Sequence, residues 1–211
     1  MKKRDKESML RLAYILSIIT VFYNIAEGLI SVTIGYEDET LSLFGFGVDS
    51  FVEVFSGIGI LHMLIRIKAN GDENRDEFEK TALKITGSGF YILTASLVVT
   101  SLYNFVTNHK PETTFWGIVI SLVSIATMSL LIKYKMIAGK AINSAAIIAD
   151  ANCTKTCLYL SLILLVSSAG YELTGFGRID SLGALAIAYF SFKEGREAFG
   201  KVRSGKNCTC V

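Results

Sequence analysis

The chain has no marked excess of charge of either sign. Its 21 Lys and Arg stand against 19 Asp and Glu, for a formal net charge of +2. No basic patch or stacking platform is present, so nothing points to nucleic acid. A disulfide framework is also missing. Of four cysteines, Cys153 and Cys157 lie inside an apolar stretch, and Cys208 and Cys210 close the chain, unlike the spacing of a small stapled secreted domain. The long apolar stretches lack the polar face that a soluble helical bundle would need. No small-x-small cleavage site follows the first of them, which is too long for a signal peptide. Behind its basic start, Met1 to Arg11, it reads as a retained helix.

What is present is apolar sequence in blocks. Hydrophobic residues make up 51% of 211 positions, with a mean hydropathy of +0.46. A spanning helix takes about 20 such residues. Six segments qualify, at roughly 9–34, 41–67, 83–106, 114–134, 141–168 and 178–198. The expected fold is therefore an all-α membrane protein, a six-transmembrane-helix bundle over 1–200. The 201–211 tail is short, so no C-terminal soluble domain is expected. Basic residues gather at one end: Lys2, Lys3, Arg4, Lys6 and Arg11, then Arg66, Lys68, Arg75, Lys80 and Lys84, then Lys133, Lys135 and Lys140, then Lys193 to Lys206. The other end offers Lys110 and Arg178 beside Glu37, Asp38 and Glu39. The positive-inside rule puts both termini in the cytoplasm, with the bundle in the cell (inner) membrane. Gly45, Gly47, Gly57, Gly59, Gly87 and Gly89 suit close helix packing. Gly45 and Gly47 are also candidates for loosening the second helix.

Two pairs break the apolar pattern. Asp49 and Glu53 in the second segment, and Cys153 and Cys157 in the fifth, are each i, i+4, so each pair projects from one helix face. An acid at membrane depth costs about 2.5–3.5 kcal/mol on insertion scales. A divalent metal held between carboxylates and thiolates is the simplest group to offset that cost, and two such pairs supply four ligands. Thiolates favour zinc, cadmium or copper(I) over magnesium or calcium. Taken singly, the acid pair also fits a proton, a sodium ion or a neighbouring lysine, and the cysteine pair fits two small buried apolar side chains. Asn24 and Glu27 are further polar residues at depth, suited equally to helix-packing hydrogen bonds and to a water path. His62 and His109 read as lone interfacial histidines. Lys155 lies about 160° around its helix from the cysteine face at ~100° per residue, with Asp180 or Glu27 as candidate partners.

The surroundings of the pairs resemble a known family. Gly47-Val48-Asp49-Ser50-Phe51-Val52-Glu53 and the run Ala149-Asp150-Ala151-Asn152-Cys153-Thr154-Lys155-Thr156-Cys157 are similar to the second and fifth helices of the cation diffusion facilitators. The resemblance covers nearly the whole chain, including Asp180 at the start of the last helix. It implies a transporter that moves a divalent metal, usually zinc, usually in exchange for protons. Asp49 and Glu53 then match the second-helix ligands, and Cys153 and Cys157 fall where the family has His and Asp. Asp150 matches the acid of the Ala-Asp-Ala signature. Three departures follow: Glu53 is one methylene longer than the family's Asp, the thiols soften the site, and the family's usual cytoplasmic domain is missing. The Cys208–Cys210 tail fits metal capture or a plain disordered end. A homodimer held through the helices is open.

Charge balance adds a mechanism. Two ionised carboxylates and two thiolates would leave excess negative charge around a divalent ion. An empty site must therefore hold protons that metal expels. The expected activity is proton-coupled efflux of zinc or of a softer ion such as cadmium, with membrane lipid, metal and protons as partners and no enzymatic chemistry. A non-transporting metal-binding or regulatory membrane protein is the alternative. A membrane thiol oxidoreductase fits less well, because it would leave Asp49 and Glu53 unexplained.

Overall fold

A computed structural model describes residues 3–70, 77–107 and 110–204. Among these the chain forms six helices and no strand: α1 (Lys3–Glu37), α2 (Leu41–Asn70), α3 (Glu77–Thr107), α4 (Phe115–Ile142), α5 (Ala145–Thr174) and α6 (Arg178–Ser204). All six expected segments are present, and most run several residues further than expected. Apolar composition marks only the part of a helix that meets hydrocarbon, whereas backbone hydrogen bonding continues into polar flanks. The α4–α5 boundary moves most. Asn143 adopts φ 54° and ψ 42°, and the Ser144 N–H donates to Gly139 O at 3.0 Å, a left-handed stop that keeps Ala141 and Ile142 in α4.

Five helices are long and apolar enough to cross a membrane by length and composition, and α6 falls outside that set. Lys193, Glu194, Arg196, Glu197 and Lys201 dilute its second half. It nevertheless completes the bundle, with its closest packing against α3, as α1 packs on α2 and α4 on α5. Large apolar side chains such as Phe22, Ile92, Val99, Val106, Val166 and Leu173 face outward. An apolar exterior around a bundle of apolar helices is what lipid requires, and the chain is an integral, multi-pass membrane protein.

Small residues set the helix spacing. A Cβ on Gly47 would stand 2.7 Å from Val32 N on α1, and one on Gly87 would stand 2.8 Å from the Phe199 ring on α6. Packing therefore accounts for these positions. The second helix is continuous through Gly45 and Gly47, so the expected loosening near Asp49 is not found. One apolar cluster, including Leu43, Phe46, Leu97, Leu160, Leu164 and Ile187, fills the end of the bundle where α2 and α6 begin. A second, including Ala13, Met63, Ala138 and Ile147, fills the opposite end. Asn24, Glu27, Asp49, Glu53 and Asp150 lie between these plugs, next to a third apolar cluster of Leu16, Met128, Leu131 and Cys157.

Candidate metal centre

Asp180 has a structural role. Its carboxylate accepts the Leu41 N–H at 2.8 Å, the Ser42 N–H at 3.2 Å and the Ser42 hydroxyl. It thereby caps the α2 N-terminus, whose first amides have no partner inside the helix. The cap couples the start of α6 to the first two residues of α2, the helix that carries Asp49 and Glu53.

Glu53 lies on α2 and faces α5. Its Oε2 accepts the Cys157 thiol at 2.7 Å and the Asn24 amide N–H of α1 at 3.3 Å. Three helices thus meet at one carboxylate oxygen. Asp49, one turn earlier and 2% exposed, accepts the Ser191 hydroxyl of α6 at 2.8 Å. Cys153 sits one turn from Cys157 and accepts from Lys201 Nζ at 3.4 Å, and Lys201 also pairs with Glu197 at 2.9 Å. Beside Cys153, Glu194 accepts the Thr156 hydroxyl at 3.0 Å.

A cavity of about 50 Å³ lies beside Glu53 and both cysteines, lined by Thr20, Asn24, Glu53, Asp150, Cys153, Cys157, Glu194 and Lys201 among others. That is room for a few waters, each needing at least about 10–15 Å³ on the same measure. The cavity runs from mid-bundle toward the end where α2 and α6 finish and α3 and α5 begin. The structure thus brings Glu53 and Cys157 into direct contact and puts Cys153 in the same cavity wall. Asp49 is turned to Ser191, outside that lining. Among the described residues, no three His, Cys, Asp or Glu side chains gather closely enough to hold a metal ion in this conformation. Neither Cys153 nor Cys157 is in a disulfide among the described residues.

Asp150 lines the cavity but is held by an ion pair. Its Oδ2 lies 3.0 Å from Lys135 Nζ of α4 and accepts the Ser17 hydroxyl of α1 at 3.3 Å. Lys135, fully buried, also donates to Thr154 Oγ1 at 3.0 Å. Lys135 and Lys201, two of the basic residues that gather at one end of the bundle, are buried, each on a partner at the cavity edge. The expected partners of Lys155 are also corrected. Lys155 donates to Asn152 Oδ1 at 2.9 Å, while Asp180 caps α2 and Glu27 accepts from Tyr23 at 2.9 Å and Ser50 at 3.1 Å. Lys155 lies off the cysteine face and reaches an acceptor three residues back on its own helix. His62 packs against Phe78 with ring centroids 4.6 Å apart and the rings tilted by 42°. His109, Cys208 and Cys210 lie outside the described residues.

Sequence reasoning missed Glu194 and Ser191. With Ala198 and Lys201 they fall at i, i+3, i+7 and i+10 on α6, a helical face that its polar composition hid.

The fold and the buried donors define a polytopic helical membrane domain of transporter type. The chain matches the cation efflux transmembrane domain over residues 17–204, and it belongs to that family, a class of transporters rather than of enzymes. An uncharacterized transporter of Methanocaldococcus jannaschii is 26% identical over 177 residues, which cover 81% of this chain and 62% of the relative. The chain thus spans about three fifths of that curated relative's length.

Proposed function

We propose that the chain carries a borderline or soft metal cation, zinc or cadmium, across the membrane in exchange for protons, using Asp49, Glu53, Cys153 and Cys157. The observation that carries this reading is the contact between the Cys157 thiol and Glu53 Oε2 at 2.7 Å, across α2 and α5, in the wall of a buried cavity. A thiol that donates to a carboxylate holds one proton between two metal ligands. A divalent ion arriving there bonds to Sγ and to the carboxylate, and the thiol proton leaves through the cavity. Copper(I) competes through the thiols alone.

Two groups must move for all four ligands to meet. Cys153 exchanges the Lys201 ammonium for the metal, and Asp49 gives up the Ser191 hydroxyl. Lys201, paired with Glu197, then donates to Cys153 until the metal comes. The clustering of basic residues at the end where the chain starts and α6 finishes supports a cavity open to the cytoplasm, the side from which an exporter loads its ion. A non-transporting metal-binding protein is the second reading. It is kept open by Cys153 and Cys157, which stand where the family has His and Asp.

Reconstituted vesicles separate the two. Uptake of zinc, cadmium and copper(I) is measured with and without a pH gradient, for the parent, Asp49→Ala and Cys153→Ala. The transport reading expects gradient-dependent flux in the parent and its loss in both variants. Flux unchanged in Asp49→Ala sinks the shared site. Metal binding without flux in the parent supports the second reading.

A further inference from the structure

Asn24 of α1 is 2% exposed and lines the cavity together with Glu53, Cys153 and Cys157. Its two amide ends are used unequally. Nδ2 donates to Glu53 Oε2 at 3.3 Å, whereas Oδ1 is buried with no hydrogen-bond partner among the described residues. With Glu53 ionised, its contact assigns which end is which, because the reversed amide would set one acceptor against another. An unsatisfied buried acceptor costs about 1–3 kcal/mol. Only a donor such as water, or a cation, can satisfy an amide oxygen.

We propose that Asn24 Oδ1 is a fifth metal-binding group, which brings α1 into the site and sets its preference for zinc and cadmium over copper(I). The proposal rests on the metal-site reading above. The same carboxylate oxygen already joins Asn24 and Cys157, so an ion replacing the Cys157 proton arrives beside Oδ1. The donor set is then mixed: thiolate sulfur, carboxylate oxygen and amide oxygen. Zinc and cadmium accept such a set, often with more than one oxygen. Copper(I) prefers thiolates and gains little from a neutral oxygen. In this arrangement Asn24 also holds Glu53 before the metal arrives, so orientation and ligation come from opposite ends of one amide.

The test compares zinc and copper(I) affinities of the purified full chain by competition with chromophoric chelators. Cys208→Ser and Cys210→Ser form the common background, so that tail thiols do not report. Asn24→Ala is expected to weaken zinc by about 10–100-fold, the range for losing a group that supports a metal site, while copper(I) affinity stays within a few-fold. Asn24→Asp, which keeps an oxygen but removes the donor, is expected to hold zinc at least as tightly as the parent. Zinc affinity unchanged in Asn24→Ala overturns the proposal. So does an equal loss for both metals, or a loss in Asn24→Asp as large as in Asn24→Ala, since either marks a role in packing or in holding Glu53. Glu53→Gln and Cys157→Ser serve as reference variants. If they weaken zinc and Asn24→Ala does not, only the role of Asn24 fails. If they bind zinc like the parent, the metal-site reading fails and takes this inference with it.

Discussion

At the scale of single residues, the buried cations have the clearest energetic consequence. Lys135 is fully buried between Asp150 and Thr154. Removing one member of a buried pair strands the other, at about 3–5 kcal/mol. Lys135→Met should therefore destabilise the protein by that order, read as earlier unfolding in a detergent denaturation series. Replacing Asp150 by Leu in the same chain should recover much of the loss, and a double variant no better than Lys135→Met would contradict the pairing. Residue spacing made part of the site legible. The i, i+4 pairs singled out Asp49, Glu53, Cys153 and Cys157 before any fold was known. Spacing along one helix does not say which neighbour each side chain meets. Glu53 and Cys157 meet each other, Cys153 meets Lys201, and Asp49 meets Ser191. Asn24, a lone amide in an apolar run, carried no pattern that distinguished a cavity wall from a packing contact.

At the scale of elements, hydropathy located six helices because lipid imposes one requirement on all of them. The helix ends were less legible, since they depend on hydrogen bonds rather than on composition, as at Asn143 and at Asp180. Asp180 illustrates how one helix is set by another. Its carboxylate satisfies two amides at the start of α2 from the start of α6. Asp180→Ala should cost about 1–2 kcal/mol of stability, in the range of a lost N-cap. Asp180→Asn, which keeps one acceptor, should cost less. Comparable loss in both variants, measured by the same unfolding series, would argue that charge at the helix end, rather than acceptor geometry, dominates. The sixth helix was expected from its apolar first half. Its polar second half is explained by where it lies, with Ser191, Glu194 and Lys201 turned toward Asp49, Thr156 and Cys153.

At the scale of the molecule, six helices place two apolar plugs around a polar middle, and the small cavity there reaches toward one end only. That arrangement suits a carrier that exposes its site to one side at a time. Membership in the cation efflux family agrees with it, and in the proposed site the thiols would give this chain a softer donor set than the His–Asp pair its resemblance implies. The account depends on Cys157 being a metal ligand rather than a buried apolar side chain. The most direct measurement is the ultraviolet charge-transfer absorption of cadmium thiolate during titration of the purified chain, with Cys208→Ser and Cys210→Ser as the background. The account predicts a saturable band that falls in both Cys157→Ser and Cys153→Ser and weakens in Glu53→Gln. A band that never develops, or one that Cys157→Ser leaves unchanged, would contradict it.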